Sequence, residues 1–196
     1  AGKSTHAARL AGRLRAAGLE VVETREPGGT PGAEAIRALL LGGAEARWSP
    51  TVEALLVNAA RADHAERLIR PALDRGAWVV CDRWLDSTLA YQGGEGGVPG
   101  GMLKALHLVA TGGLAPDRTL LLDLPVALGL ARAGGRGGAD DRIGGRGVAF
   151  HEGVRAGFLA LAKTDPGRIA VIDATREAEA VAADVWAAVG LRVPGR

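Results

Sequence analysis

The chain has 196 residues, 47% of them hydrophobic and 23% charged, the size and balance of one globular domain. Its 24 basic and 22 acidic residues nearly cancel to +2, and its 30 glycines follow no collagen-like period, which argues against a nucleic-acid polycation, a disordered chain and a fibre. Cys81 is the sole cysteine and no apolar run approaches the ~18 residues of a membrane span, so an intramolecular disulfide, a cysteine metal cluster and a spanning helix are excluded.

Aromatics make up only 4%, so the core is built from Leu, Val, Ile and Ala. Nearly all the positive charge is arginine, with Lys3, Lys104 and Lys163 the only lysines. Arginine's planar fork suits phosphate recognition. The four histidines have no metal-ligand spacing, no signal peptide is visible, and a cytoplasmic setting without a membrane partner is expected.

The chain opens Ala1-Gly2-Lys3-Ser4-Thr5, and residues 6–17 read as a helix stopped by Gly18. Residues 19–24 form the first apolar strand, and Pro27-Gly28-Gly29 a turn before a helix over 33–41. Ser49 and Pro50 are N-cap and first position of a long helix carrying Glu53, Arg61 and His64, expected to end near Ile69 before Pro71. A short helix over 72–75 yields at Gly76 to a strand, 77–81, whose continuous apolar run suits a parallel sheet. A helix through Tyr91, a glycine-rich stretch over 93–101 and a helix over 102–110 follow. Residues 119–124 are a strand, Pro125 opens a helix to Ala133, and 134–147 form a basic, glycine-rich loop. A helix over 148–163, a strand over 169–172 and a helix over 177–189 complete the alternation of a parallel α/β sheet.

Gly2-Lys3-Ser4 closes a phosphate-binding loop, in which backbone N–H groups and a helix N-terminus surround the phosphates. Lys3 would reach the β/γ-phosphates and Ser4 would hold Mg²⁺, with Ala1, Gly2 and Thr5 in the same loop. The strand and first glycine that precede such a loop are not in the sequence, which reads as lacking roughly ten N-terminal residues. The 196 residues alone are therefore expected to be unstable and inactive. Ligands of parallel sheets sit beyond the carboxyl ends of the strands, where Arg25 to Thr30, Asp82-Arg83 and Asp123 fall. An acidic residue there commonly orders Mg²⁺, which suits Asp82; the alternative is an N-cap for the next helix.

These segments together resemble the thymidylate kinase family. The stretches that carry the resemblance are AGKST at 1–5, TREPGGT at 24–30, CDRWLDSTLAYQG at 81–93, PDRTLLLD at 116–123, DRI at 141–143, FHEGVRAGFLALA at 150–162 and IDAT at 172–175. The resemblance implies a P-loop three-layer α/β/α fold in a single domain, with a five-stranded parallel sheet whose first strand is missing here. It implies transfer of the γ-phosphoryl of ATP to dTMP, with Mg²⁺, in a homodimer. Arg83 resembles the arginine on the dTMP phosphate, with Arg25, Glu26 and Pro27 in the same pocket. Arg61 resembles the arginine on the thymine carbonyl, with Val57, Ser87, Thr88 and Gln92 around the base and Tyr91 under the sugar. The loop over 132–146 resembles a mobile lid, in which Arg132 faces ATP and Arg136 and Arg142 serve the transferring phosphoryl.

The chain departs from the family pattern in three places. Val57 stands where a stacking Phe is usual, at a cost on the order of 1 kcal/mol for the lost aromatic contact. Ala60 replaces an Asp, and Gly144-Gly145-Arg146 replace glutamates. The alternatives are a nucleoside-monophosphate kinase for another pyrimidine, a P-loop nucleotide-binding paralogue without transferase activity, and an Arg-rich nucleic-acid binder.

Overall fold

The computed structural model describes residues 2–134 and 142–190. The alternation read from the sequence is present. The helices are α1 (Lys3–Ala16), α2 (Pro31–Leu41), α3 (Pro50–His64), α4 (Arg70–Asp74), α5 (Leu85–Gln92), α6 (Gly100–Thr111), α7 (Val126–Gly134), α8 (Val148–Thr164) and α9 (Ala178–Gly190). The strands are β1 (Val21–Arg25), β2 (Trp78–Asp82), β3 (Thr119–Asp123) and β4 (Ile169–Asp173).

Two parallel pairs form: β1 with β2, placing Arg25 opposite Asp82, and β3 with β4, placing Asp123 opposite Asp173. Among the described residues, no ladder joins one pair to the other. Both pairs nevertheless share one core. Leu10 and Leu14 of α1, Ile172 of β4, and Val181, Val185 and Trp186 of α9 are buried together, with Val21, Val80, Leu120 and Leu122 packed against them. Every residue of β2 and β3 is only half-buried, although their Trp-Val-Val-Cys and Leu-Leu-Leu runs are those of interior strands.

Two local findings revise the sequence reading. Pro71 does not end the long helix: α3 continues through a π-type turn over Ala65–Ile69 into α4, with Arg70 N–H bonded to the Ala65 carbonyl. Widening one turn accommodates a ring that would collide with the carbonyl four residues back in a regular helix. The first helix also starts at Lys3 rather than His6. Gly2, at φ 69°, supplies the left-handed entry.

Candidate active site

The start of α1 is built for an anion. It has no side-chain cap and no acidic residue in its first turn, the setting in which the positive end of a helix dipole favours a negative ligand. Ser4 Oγ, in that turn, donates to Asp82 Oδ2 at 2.9 Å. Asp82 closes β2, so the loop-and-helix element and the strand end meet through these two oxygens, in the places the sequence assigns them. Lys3 lies one residue earlier, on the exposed face of the same turn.

The next residue, Arg83, has φ 80°, a left-handed conformation that non-glycine residues seldom adopt. Such strain persists where the surroundings enforce it and commonly marks functional positions. The turn sends Arg83 into a cavity of about 170 Å³ lined by Glu26, Pro27, Arg37, Val57, Arg61, Arg83, Trp84, Ser87, Thr88, Tyr91 and Gln92, among others. NH2 of Arg83 donates to the Tyr91 hydroxyl at 3.2 Å, and its guanidinium lies 4.9 Å from that ring centroid. The cavity thus gathers nine of the ten residues read from sequence as the acceptor pocket. Arg25 is not on its wall: its NH2 bonds both oxygens of Glu34, at 3.0 and 3.2 Å. Gly29 N–H also donates to Glu34, and this bond is the main cause holding that carboxyl below its ordinary range.

The back of the cavity is a buried polar chain. Arg61 Nε donates to Glu26 Oε2 at 2.8 Å and its NH2 to Thr88 Oγ1 at 2.9 Å, with both charged side chains almost fully enclosed. His64 Nδ1 meets the other Glu26 oxygen at 3.3 Å, and its Nε2 meets Thr24 Oγ1 at 2.8 Å. Since a carboxylate only accepts, Nδ1 carries a proton here, and in the neutral ring the Thr24 hydroxyl then donates to Nε2. Arg61 is therefore oriented before any ligand arrives. Cys81, just before Asp82, donates to the Arg83 carbonyl, and desolvation pushes its thiol well up, with Glu26 and Asp82 adding to the shift. That is the chemistry of an inert structural thiol.

The basic loop is anchored at both ends. Arg132 donates to the carbonyls of Ala174 and Thr175, just past β4. At the other end Arg142 is buried, with Nε on the Leu40 carbonyl and NH2 on Glu53 Oε1 at 2.7 Å. The expectation that Arg142 serves the transferring phosphoryl meets a different arrangement, in which its fork fastens the loop to α2 and α3. Ile143, Gly144 and His151 follow it over the cavity wall. Ala1, Arg136 and Asp141, also singled out in the sequence, lie outside the described residues.

Four contributors were not read from the sequence as parts of the site. Trp84 lines the cavity, and its ring stands edge-on to His64 and His107. An aromatic residue directly after a strand-end Asp-Arg was the available signal. Glu53 gave none, because its partners Gln92, Arg142 and Arg146 are distant in the chain, and Arg37, which donates to the Pro27 carbonyl, gave none either. Arg155 forms a two-pronged pair with Asp123, at 2.7 and 2.9 Å.

Comparison with known proteins decides the family. A sequence model described as thymidylate kinase matches residues 1–185. The chain is 57% identical to thymidylate kinase from Caulobacter vibrioides over 185 residues, covering 94% of this chain and 88% of that protein. It belongs to the thymidylate kinase family. Thymidylate kinase from Thermomicrobium roseum is 53% identical over 189 residues, covering 96% of this chain and 89% of that protein. The crystal structure of thymidylate kinase from Ehrlichia chaffeensis superposes with a TM-score of 0.75 at 30% identity, covering 94% of this chain and 90% of that one. The fold is accordingly a P-loop α/β fold and the protein a phosphotransferase of the kinase class. No helix among the described residues is long and apolar enough to cross a membrane.

Proposed function

We propose that the protein carries out its family's reaction, transferring the γ-phosphoryl of ATP to dTMP to give dTDP and ADP. The observation that carries this reading is the Ser4–Asp82 contact at the mouth of α1, beside a cavity whose walls hold Arg61 and Arg83. Phosphoryl transfer asks little covalent chemistry of a protein; positioning and charge neutralisation dominate. Lys3 and the first turn of α1 hold the donor phosphates, with Arg132 toward the rest of ATP. Arg83 takes the dTMP phosphate, Tyr91 lies under the sugar, and Arg61, Ser87, Thr88 and Gln92 surround the base. Mg²⁺ is commonly bound by one or two protein oxygens together with substrate phosphates, and Ser4 Oγ and Asp82 Oδ2 are such a pair. The ion would neutralise charge on the transferring group.

The finer architecture belongs to the same proposal. A fifth parallel strand between β2 and β3 would unite the two pairs into one sheet. The half-buried state of both strands and their common core support it. A cytoplasmic homodimer is proposed as well, packed through α3 and α6, which lie together and expose Leu55, Met102, Leu108 and Val109. Sedimentation equilibrium tests it, and a monomer at micromolar concentration would exclude it.

The direct test of activity uses the full-length protein and follows ADP formation with Mg²⁺ and ATP, offering dTMP, dUMP and dCMP in parallel. Strong dTMP-dependent turnover is expected. ATP binding by a folded protein without turnover of any acceptor refutes the reading.

A further inference from the structure

Glu53 lies in the first turn of α3, where an acidic side chain ordinarily faces solvent and favours the helix dipole. Here it is 1% exposed. Its Oε1 accepts from Arg142 at 2.7 Å and Arg146 at 2.6 Å, and its Oε2 accepts from Gln92 Nε2 at 3.0 Å. One buried carboxylate thus joins the loop that follows α7 to a residue on the wall of the nucleotide cavity.

We propose that Glu53 is a positioning residue that fixes which pole of the Gln92 amide faces the pyrimidine, and through it selects bases that carry a hydrogen at N3. This rests on the reading of the cavity as the acceptor site. A carboxylate can only accept, so the amide must turn its NH₂ to Glu53 and keep its carbonyl Oε1 for the cavity. Thymine and uracil present an N–H donor at N3 to that oxygen. Cytosine presents a lone pair there, and acceptor would face acceptor. A free glutamine would turn over to suit either base. With Glu53 in place, turning over sets two acceptors against each other in a buried site, which costs the unmet hydrogen bond.

Glu53→Gln reverses this logic with little change in shape. Two arginines keep the new amide's oxygen on their side, so its NH₂ meets Gln92. Gln92 then turns over and offers NH₂ to the base. The ratio of kcat/KM for dTMP to that for dCMP is expected to fall roughly 10-fold or more. The dTMP to dUMP ratio should stay as in wild type, because both bases carry the N3 hydrogen. In a Gln92→Ala background, Glu53→Gln should leave the dTMP to dCMP ratio unmoved. A purely structural role would lower all nucleotides together. An unchanged dTMP to dCMP ratio in folded, active Glu53→Gln overturns the proposal, as does an equal shift in the Gln92→Ala background.

Should Glu53→Gln fail to fold, the wild-type protein still decides. In ¹⁵N-labelled protein the Gln92 side-chain amide protons should exchange slowly, both free and with dTMP bound. Solvent-rate exchange in the free protein refutes the Glu53 contact. Wild-type protein that phosphorylates none of the three nucleotides overturns the functional reading instead, and the Gln92 signals still report on Glu53.

Discussion

Replacing Arg61 by methionine isolates the energetics of the buried chain at the back of the cavity. Arg61 and Glu26 expose 1% and 2% of their side chains, and Nε and Oε2 are 2.8 Å apart. Two opposite charges out of water roughly offset their own desolvation, so the intact pair adds little net stability. Removing one partner is different, because the other stays buried without its counter-charge, at about 3–5 kcal/mol. Methionine fills most of the vacated volume, so lost packing is the smaller part. The Thr88 hydroxyl loses its donor too, which adds to the cost. For a chain of this length each kcal/mol moves the melting temperature by roughly 2–4 °C, giving a fall of roughly 6–20 °C. The assay is urea unfolding with midpoint and slope fitted together, so that a changed denatured state is not read as stability. Adding Glu26→Gln to Arg61→Met removes the stranded charge and should restore about half of the loss or more. A single-variant cost below about 1 kcal/mol would mean that Glu26 reaches water or a proton without Arg61, and the argument from burial would be refuted.

Gly29→Ala should destabilise by about 1–3 kcal/mol, visible as a lower urea midpoint, because Gly29 has φ 92° and a Cβ would fall 2.5 Å from Thr24 Oγ1 and 2.6 Å from His64 Nε2. Asp82→Asn should lower kcat by roughly 10²–10³-fold in single-turnover assays while melting stays near wild type; a loss under about tenfold would remove Asp82 from the reacting centre. His107 is held below its ordinary value of 6.5, first by burial and then by Arg61. The unfolded chain therefore binds the proton more readily, and stability falls as pH drops below about 6.5 toward the folded-state value. His107→Gln should flatten part of that decline in unfolding free energy below about pH 6.5, leaving the share of His6, which burial lowers in the same way. An identical slope in the variant would refute the assignment.

The strands β2 and β3 were legible because their chemistry is local: continuous apolar runs set off by Gly76 or by Pro125 have few other structures open to them. Ser49 accepting from Val52 N–H with Pro50 behind it is likewise a neighbour effect, written where it acts. The joining of Ser4 to Asp82 was legible through motif position, since a strand end next to a phosphate loop leaves few geometries. What stayed hidden depends on pairing across the chain. Arg142 and Glu53 are 89 positions apart, and nothing in either residue names the other. The chemistry of an arginine is visible in the sequence, but its partner is a tertiary fact, and Arg25 on Glu34 repeats the lesson. Pro71 failed as a stop signal for a related reason, since the backbone widened by one residue instead of breaking.

The same pairings settle what a pI near 9.1 with little lysine means physically. A surface that attracts nucleic acid needs clustered cations whose charge reaches solvent. Here the arginines are matched locally: Arg61 to Glu26, Arg142 and Arg146 to Glu53, Arg155 to Asp123, Arg168 to Asp86, Arg9 to Glu179. The first three of those matches lie at the back of the cavity or along its covering loop, and the carboxylate holds the guanidinium before any substrate arrives. A fork fixed in advance has less freedom to lose on binding, so more of its hydrogen bonding is realised as affinity and orientation. Abundant arginine with near-zero net charge is therefore what guanidinium groups held by carboxylates give: Glu26 fixes Arg61 on the cavity wall, and Glu53 fixes Arg142 and Arg146 in the covering loop. The carboxylates that cancel the charge on paper are the ones that aim it in space.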